Sequence, residues 1–332
     1  MRCPLTPAAT PLPEAPQPSQ SVAAELVAVL VAVTAGQARV LTTHGGQALP
    51  SGPFEQAHRS LQAGMRAWIE RQTHHPIGYI EQLYTFADRD RDRGGSRDHG
   101  TRVIAVSYLG LTREAAADGE ASGWRDWYRY FPWEDRRADA AEALLVDQIL
   151  PALAAWRDAA PDAATLQQRR LRVDTAFGLA GSAWNEDFVL QRYELLYEAA
   201  LVPEALGRAR GQAAAWPTGQ PMRQDFRRIL ATGIARLRAK IKYRPVVFEL
   251  MPPEFTLLQL QQTVEALAGR GLHKQNFRRL IEQQDLVEET GQLTVGSAGR
   301  PAKLFRFRSD VLLERAISGS KLPLAKGIDG SP

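Results

Sequence analysis

Cysteine is nearly absent: the 332-residue chain has one, Cys3. A disulfide framework and a cysteine-type zinc site are thereby excluded, and the chain is expected to be cytoplasmic. Long apolar runs are lacking too. No stretch reaches the roughly 18 consecutive apolar residues of a membrane-spanning helix, and the N-terminus has the charge but not the apolar core of a signal peptide. No membrane partner is expected. Gly94-Gly95 has no Gly-Lys-Ser/Thr after it, so no phosphate-binding loop is present, and no Gly-x-Ser-x-Gly elbow occurs. His74-His75 has no evident third ligand, and adjacent residues do not share a helix face, so no metal site is expected. No internal repeat is visible.

What is present is an uneven charge. The net charge of +4 divides into 19 lysines and arginines against 11 carboxylates over residues 219–332, and 22 against 26 over the rest, or +8 and −4. A polyanion would bind the C-terminal part.

Along the chain, residues 1–20 hold six prolines and read as a disordered tail. The Val/Ala/Leu run Glu25 to Val33, followed by Ala38 to Thr42, reads as a buried β-hairpin. Gly45-Gly46 and Pro50 to Pro53 read as loop. From Glu55 to Thr73, Leu61, Met65, Trp68 and Ile69 fall at helical spacing. Strands are expected at Ile77 to Phe86 and Arg102 to Leu111, about a charged loop from Asp88 to Gly100. Phe131-Pro-Trp-Glu134 is an aromatic turn. Helices follow at Asp139 to Asp158 with a kink at Pro151, at Ala164 to Val173 and at Asn185 to Glu204. Ala213 to Gly219 reads as the linker. Met222 to Tyr243 then forms a helix with Phe226, Ile229, Leu230, Leu237 and Ile241 on one face and seven lysines or arginines around the rest.

The most informative stretch is Phe255 to Phe307. Thr256-Leu-Leu-Gln259 fits a capping box, with Phe255 and Leu260 at the staple positions. Leu257, Leu260, Val264 and Leu267 make one apolar face, and Gly269 and Gly271 end the helix. A second helix from His273 to Gln283 buries Phe277, Leu280 and Ile281. Lys274, Gln275, Arg278 and Arg279 face outward, with Asn276 near the N-terminal end. Two β-type runs, Gln292 to Val295 and Leu304 to Phe307, flank a glycine-rich basic tip carrying Arg300 and Lys303. A basic helix beside a basic hairpin suits a DNA major groove: Arg or Lys reads guanine, Asn or Gln reads adenine, and the wing cations neutralise phosphates.

With these pieces in order, residues 22–310 resemble the Nudix-related transcriptional regulators of NAD metabolism, the NrtR type, and in particular the longer form called NadQ, with extra helices between its domains. The specific pieces are Gln82-Leu-Tyr-Thr-Phe86, Phe255-Thr256, Asn276-Phe-Arg-Arg279 and Arg300-Pro-Ala-Lys303. The resemblance implies an α+β fold: a Nudix-like mixed sheet with helices, followed by a winged helix-turn-helix domain. Residues 1–21 would be a disordered tail, 22–218 a ligand-sensing domain with a helical extension, 219–315 the DNA-binding domain and 316–332 a second disordered tail. It implies a repressor of NAD-biosynthesis genes on a double-stranded operator, with ADP-ribose, NAD or a related adenine nucleotide as effector and no required cofactor. A single winged helix contacts few base pairs, so a homodimer is expected. His273 stands where the family shows Asp, so the second helix is expected to lack a strong N-cap.

An active Nudix enzyme carries Gly-x5-Glu-x7-Arg-Glu-x-x-Glu-Glu, whose carboxylates hold Mg²⁺ against a pyrophosphate. Laid on this chain from Gly52, the pattern meets His58, Arg66, Ala67, Glu70 and Arg71. One carboxylate beside two cations is a poor Mg²⁺ site, so no catalytic residue is assigned. Arg66 and Arg71, with Tyr84 and Arg102 on the strands, are instead the expected effector contacts. Tyr108, Trp127, Tyr128, Phe131 and Trp133 are further aromatics able to stack on adenine. Two other readings stay open: a hydrolase acting on a nucleotide diphosphate derivative, and a protein-interaction module whose winged helix meets no DNA.

Overall fold

The computed structural model describes residues 21–54, 60–73, 79–87, 101–114, 123–206, 217–294, 301–308 and 310. The N-terminal tail, the loop from Asp88 to Gly100, His74-His75, most of the expected linker, Arg300 and the tail from 316 lie outside these residues, as do the side chains of Arg71 and Arg102.

The class is α+β. A mixed sheet has the order β4-β5-β1-β2-β6, with β3 paired to β1. Its centre is β1 (Ser21–Thr34), which pairs antiparallel with β2 (Gln37–Leu41) and β3 (Ser51–Pro53) and parallel with β5 (Thr101–Leu111). The apolar run in β1 is continuous rather than alternating because both faces are covered. Val27, Val29 and Val31 join the larger core, whereas Leu26, Ala28, Leu30 and Ala32 join a smaller one. The smaller core is closed by Met65 and Ile69 of α1 (Leu61–Thr73). The edges are β4 (Tyr79–Phe86) and the three-residue β6 (Trp124–Asp126). The stretch expected to be loop after β2 thus contains a strand, β3, because Leu26 and Val27 still had unpaired backbone to offer.

The helical layer differs from the expected one in two places. The helix from Asp139 to Asp158 forms as α2 (Asp139–Leu144) and α3 (Leu150–Asp158), joined by a π turn, Leu145–Ile149. Pro151 has no N–H and its ring crowds the preceding turn, and the widened turn directly before it absorbs the misfit. After α4 (Ala163–Phe177), the stretch Asn185 to Glu204 is not one helix. It comprises a 3₁₀ turn, α5 (Val189–Glu198) and a second 3₁₀ turn (Pro203–Leu206), broken where Ala200 takes φ 56°.

The largest correction concerns α6 (Phe226–Ile241), expected to belong to the DNA-binding domain with its cations outward. It lies on the sheet: a Cβ on Gly233 would sit 2.8 Å from Val29 Cγ1. Arg227, Arg238 and Lys240 are buried, paired with Glu204, Glu134 and Glu81 respectively. Thr218 and Gly219 are buried as well, so the boundary at 218/219 does not separate two cores. One core cluster runs from Val27 through Ile229 and Leu237 to Leu260, Phe277 and Ile281.

Candidate nucleic-acid interface

The C-terminal unit begins with α7 (Leu257–Ala268). Its capping box forms: the Gln259 amide donates to Thr256 Oγ1 at 3.1 Å, and the Thr256 amide donates to Gln259 Oε1 at 2.7 Å. Gly269 closes the helix at φ 71°, a conformation that costs glycine no Cβ clash. The turn that follows is tied by side chains. Glu265 Oε1 accepts from the Leu272 amide at 2.8 Å and from Gln261 Nε2 at 2.9 Å, and Gln261 Nε2 also donates to the Leu272 carbonyl at 2.9 Å. Gln261 and Glu265 were not singled out in the sequence; their spacing of four, with a glycine turn just beyond, is the signal that points to them.

The second helix is α8 (Lys274–Gln284). Phe277 and Ile281 are buried, and Lys274, Gln275, Asn276, Arg278 and Arg279 are all exposed. Among the described residues none of these cations is held in a salt bridge. Leu280, expected inside, is 51% exposed. It lies one residue to the side of Phe277 and Ile281, the buried side chains of the helix. His273 takes an extended conformation at the N-cap with no side-chain cap, as its departure from Asp implies.

The wing is β7 (Val287–Leu293) paired antiparallel with β8 (Lys303–Phe307), so the first strand starts five residues earlier than expected. The irregular register between Glu289 and Leu293, with Gly291 at φ 79°, hides the alternation of the strand from sequence. Phe255 and Phe305 exchange both backbone hydrogen bonds, at 2.9 and 2.8 Å, and Phe248 stacks on Phe307 at 4.2 Å between ring centroids. These contacts fasten the wing to the start of α7. On its outer side Lys303 is bonded to Glu289 at 2.9 Å and Arg306 to Glu288, all solvent-exposed pairs that a phosphate can displace.

Of the expected effector contacts, Arg66 and Tyr84 are the two whose side chains the structure describes. The α1 helix and β4 both border the smaller core, through Met65, Ile69 and Ile80. Arg66 is half-buried on α1, with Glu70 exposed beside it. Tyr84 is 56% exposed on β4 at an irregularity that Ser107 stabilises, its Oγ accepting from the Tyr84 amide at 3.2 Å and donating to the Tyr84 carbonyl at 2.8 Å. The other aromatics are core: Tyr108, Trp127, Tyr128, Phe131 and Trp133 are all buried. Phe131 packs edge-to-face on Trp133 and on Tyr193. Among the described residues no group of three or more metal-ligating side chains stands together, and no helix is long and apolar enough to cross a membrane.

Between sheet and winged helix lies a buried ionic cluster that the sequence did not announce. Glu134, fully enclosed, accepts from Arg192 at 2.5 and 2.9 Å and from Arg238 at 2.6 Å. Trp133 Nε1 donates to the same carboxylate at 3.0 Å. Burial pushes the Glu134 carboxyl up, but the two guanidinium groups outweigh it and hold the group below its ordinary value.

With this geometry in hand, comparison with known proteins is specific for the C-terminal unit. A family profile, the NrtR DNA-binding winged helix domain, matches residues 247–307. The chain is 41% identical over 83 residues to the ADPR responsive transcriptional repressor NtrR of Acinetobacter baylyi, a stretch covering 25% of this chain and 33% of that protein. The matched stretch is thus a third of that relative's length. Shewanella oneidensis NrtR, solved in complex with a 27mer DNA, aligns over 86% of this chain and 94% of its own at 20% identity and a TM-score of 0.47. A MutT/nudix family protein from Enterococcus faecalis aligns over 88% and 90% at 16% identity and a TM-score of 0.49. At such values the whole-chain likeness carries no weight beyond the winged-helix match. Residues 247–307 thus match the NrtR DNA-binding winged helix domain.

Proposed function

We propose that this protein is an effector-responsive transcriptional repressor that reads operator DNA through α8 and senses an NAD-related adenine nucleotide, ADP-ribose foremost, through its sheet domain. The observation that carries the reading is the exposed Lys274, Gln275, Asn276, Arg278 and Arg279 face of α8, set within residues that match the NrtR winged helix domain. Arg300 and Lys303 of the wing serve phosphates. The effector takes its counter-charge from Arg66, Arg71 and Arg102, with Tyr84 as a stacking platform. The similarity to a relative named for its response to ADP-ribose supports this choice of ligand. One matching carboxylate, Glu70, is too few to hold Mg²⁺, so the chain acts as a regulator rather than a pyrophosphatase. It works as a homodimer in the cytoplasm, on half-sites about one or two helical turns apart, at genes of NAD biosynthesis.

The test is fluorescence anisotropy on duplexes selected from a random pool, against scrambled duplexes, over a range of salt. Each base-reading cation is worth about 1–3 kcal/mol, so Lys274→Ala plus Arg278→Ala lowers affinity for the selected duplex at least about tenfold and erodes the preference. Arg300→Ala or Lys303→Ala weakens both duplexes alike and lowers the salt slope by about one. Unchanged binding by the α8 double variant would exclude that helix as the reader.

A further inference from the structure

The reading above leaves open how the sheet domain speaks to the winged helix. The last-turn carbonyls of a helix lack intrahelical donors and must find others. In α7 those of Ala266 and Leu267 find them outside the winged helix: the Tyr128 hydroxyl donates to Ala266 O at 2.6 Å, and Arg238 Nε donates to Leu267 O at 2.9 Å. Arg238 comes from α6 on the sheet, and its cation also meets the negative end of the α7 dipole. Tyr128 sits in the turn after the edge strand β6, fixed by the hydrogen bond that its backbone amide donates to Asp126 Oδ1 at 2.9 Å. Its hydroxyl also accepts from Arg238 at 3.3 Å, and Arg238 in turn is clamped by Glu134. All four side chains of this assembly, Tyr128, Glu134, Arg192 and Arg238, are buried.

The fit is close. A Cβ on Gly269 would lie 2.2 Å from the Glu134 carbonyl oxygen, 2.8 Å from Arg238 Nη2 and 2.9 Å from the Tyr128 hydroxyl. A purely apolar contact would let the helix end slide, whereas directional bonds to a fixed ionic cluster admit one seat. Beyond Gly269 the turn is tied by Gln261 and Glu265, which couples the start of α8 to α7. We propose that the Tyr128–Glu134–Arg238 cluster is the joint that sets the orientation of the reading helix relative to the sheet, and that the effector's influence on DNA binding passes through the seated end of α7. The second half of this statement rests on the proposed effector response; the first does not.

Two variants of the full chain test it. Gly269→Ala wedges the joint open, and Tyr128→Phe keeps the ring in the core while removing one of the two bonds to α7, so it remains informative where the wedge prevents folding. In hydrogen exchange, we expect both to lose protection together in the last turn of α7, in α8 and in residues 132–134. In anisotropy, the ratio of duplex affinities without and with ADP-ribose falls toward one by about threefold or more, while calorimetry shows ADP-ribose binding unchanged. A wild-type ratio in both variants, with ADP-ribose acting on the wild type, overturns the coupling. Absence of any ADP-ribose effect on the wild type overturns the effector reading instead, and exchange then decides the joint: loss of protection confined to α7 would refute it.

Discussion

At the scale of single residues, Glu134 illustrates how a charge is kept inside. Burial alone favours its protonated form, and the guanidinium groups of Arg192 and Arg238 reverse that preference. A carboxylate whose pKa is depressed in the folded state stabilises the fold above its unfolded value, ordinarily 4.5, and that contribution is lost as pH falls through the lower folded value. Conformational stability should therefore decline as acid is added below that point. Replacing Glu134 with Gln leaves two buried cations uncompensated, which costs about 3–5 kcal/mol at neutral pH and flattens the acid slope. Guanidinium denaturation of both proteins between about pH 7 and pH 3 checks both signs. None of this was legible in the sequence. Phe131-Pro-Trp-Glu134 announces a turn, but the arginines that complete the cluster stand far along the chain, and nothing local distinguishes Arg238 from an exposed helix cation. For the same reason α6 read as a basic surface when three of its charges, Arg227, Arg238 and Lys240, are paired inside the molecule.

At the scale of elements, legibility follows locality. The capping box at Thr256, the glycine at Gly269 and the buried stripe of Phe277 and Ile281 depend on residues within a turn or two of each other, and all formed as read, except that Leu280, read with that stripe, is exposed. The start of β7 depends on an irregular pairing across the wing, and the strand β3 on backbone left open by β1, so neither could be placed from spacing. The uncapped start of α8 offers a direct check on the local rule. His273 has extended backbone angles suited to an N-cap but no side-chain bond to the helix. Aspartate there should accept from the second or third helical amide and complement the dipole, so His273→Asp is expected to raise stability by about 0.5–2 kcal/mol, measured by thermal or denaturant unfolding. No gain would mean that the helix start is held by contacts other than its own cap.

At the scale of the whole molecule, the chain joins a sheet with two covered faces to a winged helix through a shared core rather than a flexible tether. Such a construction suits the proposed regulator, because a packed junction would convert a small shift at the sheet into a rotation of α8. The sheet and α8 lie on different parts of this continuous body, so a ligand proposed to bind at one can alter DNA affinity at the other only by binding the two orientations unequally. Reciprocity then requires DNA to change ADP-ribose affinity by the same factor. The most direct measurement is the affinity of the purified full chain for a selected duplex, by anisotropy at fixed salt, with and without saturating ADP-ribose. The account predicts tight binding of the selected over the scrambled duplex and a change of at least about fivefold when ADP-ribose is added. Equal affinity for the two duplexes, or an affinity that ADP-ribose leaves untouched, would contradict it.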